Sequence, residues 1–239
     1  MGIHVGCSGW FYWHWRGIFY PNTKRTDAWF KHYTTVFRTV ELNAPFYKWP
    51  KEVTVKDWRR KAPEDFRYSV KVNQLITHEK QLCRTKKLIE EFYSIEKILG
   101  SKLGCFLFQF PPSYRYTPSR LKSLTDQLDP VYRNAVEFRH KSWWRKSVYR
   151  QFTERGLIFC SISTPRLPDA LIKTSEVIYI RFHGRTRWYR HDYSAEQLAG
   201  WARQIRESGA RESVDLFQQR PRRLRHQERE ETHETTRLR

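Results

Sequence analysis

A chain of 239 residues is long enough to bury a large core, either as one α/β barrel or as two small domains. Its net charge of +20 attracts anions of every kind, so it describes the surface without choosing among nucleic acid, phosphorylated metabolites and anionic lipid. Cys7, Cys83, Cys105 and Cys160 stand singly with no C-x-x-C pair, which argues against a zinc knuckle and for a reducing compartment. No apolar run has the length of a membrane span and no segment reads as a signal peptide, so the expectation is a soluble, cytoplasmic protein with no membrane partner.

The chain opens on a short apolar strand, Ile3 to Cys7, followed by an aromatic loop from Phe11 to Gly17. That loop reads equally as a plug over the core or as a stacking wall for a ring-bearing ligand. Helical spacing of Trp29, Phe30, Tyr33 and Phe37 predicts a helix from Asp27 to Phe37, and Thr39 to Asn43 reads as a second strand. Side chains alternate across a strand, so Thr39, Glu41 and Asn43 share one face. A short helix around Trp58 ends before Pro63. A third strand, Arg67 to Val72, carries Lys71 between two valines, whereas Lys86 and Lys87 read as ordinary exposed lysines of a helical segment from Arg84 to Leu99. The fourth strand, Gly104 to Phe110, is nearly all apolar, delivers Gln109 and is stopped by Pro111-Pro112. After helical spacing from Pro118 to Leu128, a fifth strand from Asn134 ends in Glu137-Phe138-Arg139-His140, and a Glu and an Arg on one apolar strand are costly to bury unless paired or used. A helix from Ser147 to Arg155, a sixth strand from Leu157 to Ser163 and a seventh from Val177 to Gly184 complete the alternation, and the seventh places Tyr179, Arg181 and His183 on one face.

Seven strands alternating with helices and no long linker predict parallel βα units in one sheet, and eight such units close a TIM-type (β/α)8 barrel of about 250 residues. Glu41, Asn43, Lys71, Gln109, Glu137, Arg139, His140, Arg181 and His183 all fall at or just past strand carboxyl ends, the face on which barrel enzymes assemble their chemistry. Any one of them alone would be structural more often than not; their coincidence at five strand ends predicts one shared site.

Several ordered motifs in this chain resemble those of the YecE-like family, domain of unknown function 72. They are Gly6-Cys7-Ser8-Gly9-Trp10, Phe19-Tyr20-Pro21, Val40-Glu41-Leu42-Asn43 with Phe46-Tyr47, Gln109-Phe110-Pro111-Pro112, Val136-Glu137-Phe138-Arg139-His140 with Ser142-Trp143, and Arg181-Phe182-His183-Gly184 with Tyr193. The resemblance runs from about Gly6 to Gly209 and implies a TIM-type barrel, without implying an established activity. It breaks at the end of the chain. Members resembling it continue as Arg-Val-Trp-Ile-Tyr-Phe-Asn-Asn-Asp, where this chain reads Glu212-Ser213-Val214-Asp215-Leu216-Phe217-Gln218-Gln219-Arg220. A codon set for Glu212 to Arg229, read one base later, yields the family-like sequence without interruption, which points to a frameshift near Ala210 to Glu212; a native charged tail is the plainer alternative. The expectation is therefore a barrel of seven in-frame βα units over residues 1–211, its eighth strand and helix lost, with residues 212–239 out of frame and largely disordered. The helix Ala195 to Glu207 precedes the break and is expected to pack through Leu198, Trp201 and Ile205.

Glu41, Glu137, Lys71 and His183 are the candidate catalytic residues, offering acid, base and a cation that shifts its neighbours' pKa values. Trp10, Asn43, Gln109, Arg139, His140, Trp143, Arg181 and Tyr193 are the candidate substrate-binding residues. Two Glu with one or two His could hold a divalent cation, but no H-x-H or H-E-x-x-H spacing supports one, so no metal ligand is assigned and the cofactor is left open. Three readings follow. The first is an enzyme, isomerase-like or hydrolase-like, acting on a sugar-like or phosphorylated small molecule. The second is a nucleic-acid binder or metal-dependent nuclease-like barrel with a rim of Arg185, Arg187, Arg190 and His191 around Trp188 and Tyr189. The third is a barrel that binds a ligand without turning it over. A purely structural Glu137 to Arg139 or Arg181 ion-pair network is the alternative to all catalysis.

Overall fold

A computed structural model describes residues 1–218. Eight parallel strands close into a barrel in chain order: β1 (Gly2–Cys7), β2 (Thr39–Leu42), β3 (Arg67–Lys71), β4 (Leu103–Gln109), β5 (Asn134–Glu137), β6 (Ile158–Ser163), β7 (Val177–Phe182) and β8 (Glu212–Phe217). Helices α1 (Trp29–Val36), α2 (Ala44–Tyr47), α3 (Glu52–Lys61), α4 (Lys86–Tyr93), α5 (Ile95–Leu99), α6 (Pro118–Gln127), α7 (Lys146–Glu154) and α8 (Ala195–Glu207) connect them. Among these described residues no helix is long and apolar enough to cross a membrane.

Alternation along each strand divides the core in two. Val40, Tyr68, Val70, Phe106, Phe108, Val136 and Phe159 face outward and are buried under the helices, while Cys105, Leu107, Ala135, Ile158, Cys160, Tyr179, Val214 and Leu216 fill the barrel's interior. At Gly6 the strands approach too closely for any side chain: a Cβ there would lie 2.2 Å from the Thr39 carbonyl oxygen. Helix α8 packs through Leu198, Trp201, Ala202 and Ile205 as its periodicity requires, and Ser194 and Gln197 close a capping box at its start.

The eighth strand is present, against the expectation that it is lost. Glu212 to Phe217 pairs residue for residue with Gly2 to Cys7 on one side and with Val177 to Phe182 on the other. Open edges on β1 and β7 offer a full row of backbone partners, and the sequence keeps enough alternation to use them. Val214 and Leu216 enter the interior, and Phe217 stacks on Phe182 with ring centroids 4.5 Å apart. The barrel thus extends past residue 211, through Phe217; the remainder of the expected tail, 219–239, lies outside the described residues.

The misfit in this strand is Asp215. It is 2% exposed, its Oδ1 accepts a hydrogen bond from the Ser213 hydroxyl at 2.6 Å, and its Oδ2 has no partner among the described residues. Burial, opposed only by that hydroxyl, raises its pKa to about 7. A carboxyl group therefore stands on a strand face that the rest of the sheet fills with apolar side chains.

Candidate functional site at the carboxyl end of the barrel

Glu41, Lys71, Glu137 and Arg181 point into the barrel from β2, β3, β5 and β7 because each stands in register with the interior set of its strand. Arg181 crosses the interior and is 1% exposed. Its Nη2 donates to Glu41 Oε1 at 2.6 Å and its Nη1 donates to Glu137 Oε2. Arg139, just past β5, donates from Nε to the other oxygen of Glu137. Glu41 further accepts from the Tyr179 hydroxyl at 3.2 Å and from Gln218 Nε2 at 3.3 Å. Burial alone would raise the Glu137 carboxyl, but Arg139, Arg181 and His183 together outweigh it and hold the group well below the usual carboxylate range. Burial likewise opposes the Arg181 charge, and Glu137 and Glu41 overcome it, so the guanidinium is more firmly protonated than in water. Two carboxylates and two guanidiniums make a cluster of balanced charge, in which Arg181 Nε is buried without a hydrogen-bond partner among the described residues.

His183 follows β7 and is fully buried. Its Nε2 lies 3.2 Å from Arg139 Nη2 and 3.4 Å from Glu137 Oε1. Burial and then the charge of Arg139 lower its pKa to about 3, against the pull of Glu137, so the ring is neutral and the Glu137 contact is no ion pair. Nε2 thus lies within reach of a donor, Arg139 Nη2, and of an acceptor, Glu137 Oε1, while Nδ1 has no hydrogen-bond partner among the described residues. Trp188 covers this corner, 4.7 Å from the Arg139 guanidinium carbon and 5.3 Å from the His183 ring. The turn that brings it back begins at Gly184, where φ is 105° and a Cβ would lie 2.3 Å from the Arg187 carbonyl.

Lys71 stands apart. It is 8% exposed, and among the described residues its amine makes neither a hydrogen bond nor an ion pair; it lies over the face of Phe46, 3.9 Å from the ring centroid. Burial, then repulsion by Arg181, lower its pKa to about 8, with Glu41 and Glu137 pulling the other way. Both carboxylates are already committed to guanidiniums, so a charged Lys71 is a fifth charge that the cluster does not balance.

Beyond β3 the chain makes a π-helical turn, Leu75–Glu79, a rare element that recurs at functional sites. It carries His78, whose ring packs edge-on against Phe46 at 4.9 Å and whose Nε2 faces Gln109 Nε2 at 3.5 Å. Burial, then Lys71, lower its pKa to about 4, so it too is neutral near pH 7. The sequence reading missed His78; the signal was a short segment between β3 and α4 with no helical period of its own.

The structure thus brings Glu41, Lys71, Glu137, Arg139, Arg181 and His183 together, with Gln109 and His78 beside them. Asn43 precedes α2 and is half-buried. The remaining expected residues serve elsewhere. Trp143 is fully buried, stacked on Phe138 at 3.9 Å and donating from its indole to the Tyr114 carbonyl at 2.7 Å, so both of its uses are structural. Tyr193 accepts from the Gly184 amide and packs edge-on to Phe182. His140 caps the following turn through Ser142. Trp10 packs on Phe30 under the helix layer. In the aromatic loop, Trp15 is a buried plug whereas Phe11 and Trp13 are exposed. Among the described residues no three His, Cys, Asp or Glu side chains converge as metal ligands, and Arg181 occupies the space between the two carboxylates where a cation would stand.

Comparison with known proteins identifies the family and its fold. The family model "Protein of unknown function DUF72" matches residues 4–226. The chain is similar to UPF0759 protein YunF of Bacillus subtilis, 26% identical over 239 residues, covering 86% of this chain and 83% of the relative. It is also similar to UPF0759 protein YecE of Escherichia coli, 30% identical over 130 residues, which are 53% of this chain and 47% of that relative. Among solved structures, a DUF72 family protein from Thermotoga maritima superposes with a TM-score of 0.86 at 26% identity over 99% of both chains. Another from Enterococcus faecalis superposes at 0.83, with 19% identity over 99% of this chain and 96% of its own, a likeness of fold alone.

Proposed function

The chain belongs to the DUF72 family of TIM-type barrels, and from that premise we propose that it is an enzyme performing acid/base chemistry on a small anionic, sugar-like or phosphorylated molecule at the carboxyl end of the barrel. One observation carries this reading. A network built only to close the barrel needs no lysine, yet Lys71 is buried beside it with no carboxylate to spare for its charge. Its amine can lose a proton near neutral pH and serve as a base, His78 is a neutral partner for the same proton, and Arg139 presents an Nη1 that pairs with nothing among the described residues. Glu41, Glu137 and His183 then act as positioning residues: they hold Arg181 and Arg139 in place and are themselves held by them.

A thermal-shift screen of sugar phosphates and small hydroxy acids tests this. A ligand of the native site at 100 times its Kd is expected to add about 2.7 kcal/mol of apparent stability, and Lys71→Met is expected to abolish the gain. If no such anion stabilises the protein, the reading is wrong. A second reading, binding of single-stranded nucleic acid, is favoured by exposed Arg185, Arg187 and Arg190 around half-buried Trp188 and Tyr189. Steep weakening between low and moderate salt would mark that mode, since a buried small-molecule site responds far less.

A further inference from the structure

We infer that Lys71 is a covalent nucleophile that forms an imine with an anionic aldehyde or ketone, an inference that rests on the small-anion reading of the site and names its substrate class. The geometry is that of an activated amine: buried at the barrel mouth, against an apolar ring, within the field of the Arg181 guanidinium and outside every ion pair among the described residues. Neutral Nζ adds to the carbonyl carbon, forming the C–N bond as the carbonyl π pair moves to oxygen, which takes up a proton. The nitrogen gives up one proton to reach the neutral carbinolamine. Protonation of the hydroxyl then expels water, and the nitrogen lone pair closes the C=N bond to give the iminium ion. Overall an amine, a carbonyl and one proton become an iminium and water, with no oxidant or reductant. His78 is placed to relay protons: it is neutral, its Nδ1 meets the Thr77 hydroxyl at 2.9 Å, and its Nε2 faces the mouth beside Gln109. Arg139 Nη1, without a partner among the described residues, can take the carboxylate or phosphate of the same molecule, and the Arg139 charge is felt at Lys71. The iminium carries the same charge that the buried site disfavours on Lys71, so it forms with an anion alongside and is poised to pass electrons from a neighbouring C–H or C–C bond into the C=N.

The test uses the chain as it stands. The protein is treated with glyoxylate or pyruvate and sodium borohydride, which reduces an imine to a stable secondary amine, and the modified lysines are mapped by peptide mass spectrometry. Lys71 is expected to be modified at least about tenfold faster than the exposed Lys86 and Lys87 at pH 7.5, because burial and the Arg181 charge keep part of its amine neutral there. Its labelling should rise to half-maximum near pH 8. His78→Gln should slow labelling at Lys71 while leaving the exposed lysines unchanged. Labelling of Lys71 no faster than that of the exposed lysines overturns the covalent role even where the thermal-shift screen finds a ligand. Fast labelling with no stabilising sugar phosphate or hydroxy acid would instead uphold the nucleophile and retire the sugar-like reading.

Discussion

Arg181 holds the interior of this barrel together, and its surroundings explain why neither of the buried glutamates is a free base. Replacing it by Met would leave Glu41 and Glu137 buried with one guanidinium between them, and breaking a buried pair from one side removes compensation without removing the charge. Arg181→Met is expected to lower stability by about 3–5 kcal/mol in urea unfolding, with Arg181→Lys recovering only part because a lysine cannot span both carboxylates. A loss below about 1 kcal/mol would mean the cluster is hydrated and the charges are not coupled as described. Most of this site was legible from alternation: Glu41, Lys71, Glu137, Arg181 and His183 fall on interior registers that period-2 counting gives directly. What alternation cannot reveal is who pairs with whom. The sequence offers Glu41 and Glu137 as equals of Lys71 in catalysis, whereas the structure uses both to hold Arg181 and leaves the lysine unpaired among the described residues. Trp143 and Tyr193 lie among family motifs because they fix the loops after β5 and β7, a packing role that motif position alone does not separate from ligand contact.

At the scale of the element, β1 to β7 and the longer helices sit within a few residues of where periodicity puts them, since each carries its own apolar repeat. The elements that the sequence hid include α2 and the π-helical turn at Leu75–Glu79, both too short to show a period, and β8, whose apolar content is thin. Strand β8 forms because its neighbours supply the hydrogen bonds, and Asp215 bears the consequence. The folded carboxyl titrates at about 7 and the free one at 3.8, so between those values the folded state keeps a proton that the unfolded state has lost. Its contribution is therefore favourable below about pH 4 and is lost as pH rises to 7. Asp215→Ile is expected to stabilise the protein by about 2–4 kcal/mol at pH 8 and by clearly less at pH 4. An equal effect at both pH values would show that Asp215 is not buried as an isolated acid.

For the whole molecule, the eighth strand links barrel closure to the mouth, because Gln218 at its end already reaches Glu41. If the segment is encoded by the codon set that reads as family-like one base later, that other reading changes both. On the helix-facing side of β8 it places Val and Ile at the positions of Ser213 and Asp215, in agreement with the apolar layer that covers that face. It keeps Phe at 217 and places Trp and Tyr in the interior at 214 and 216. At 218 it places an Asn beside Glu41, followed by the Asn-Asp of the family-like sequence. A frame that satisfies the outward register at 213, 215 and 217 at once fits this barrel better than the frame as read, in which two of those three side chains are polar and buried. Introducing that sequence is expected to raise Tm by roughly 5–10 °C, the shift that about 2–4 kcal/mol produces in a domain of this size. The same substitution of the segment is expected to enlarge the thermal shift given by any ligand of the mouth, since the interior and the strand end would then be built together. A repaired chain that melts at or below the temperature of the present one, or a locus in which no single-base change restores that reading, would leave Glu212 to Phe217 as this barrel's own eighth strand.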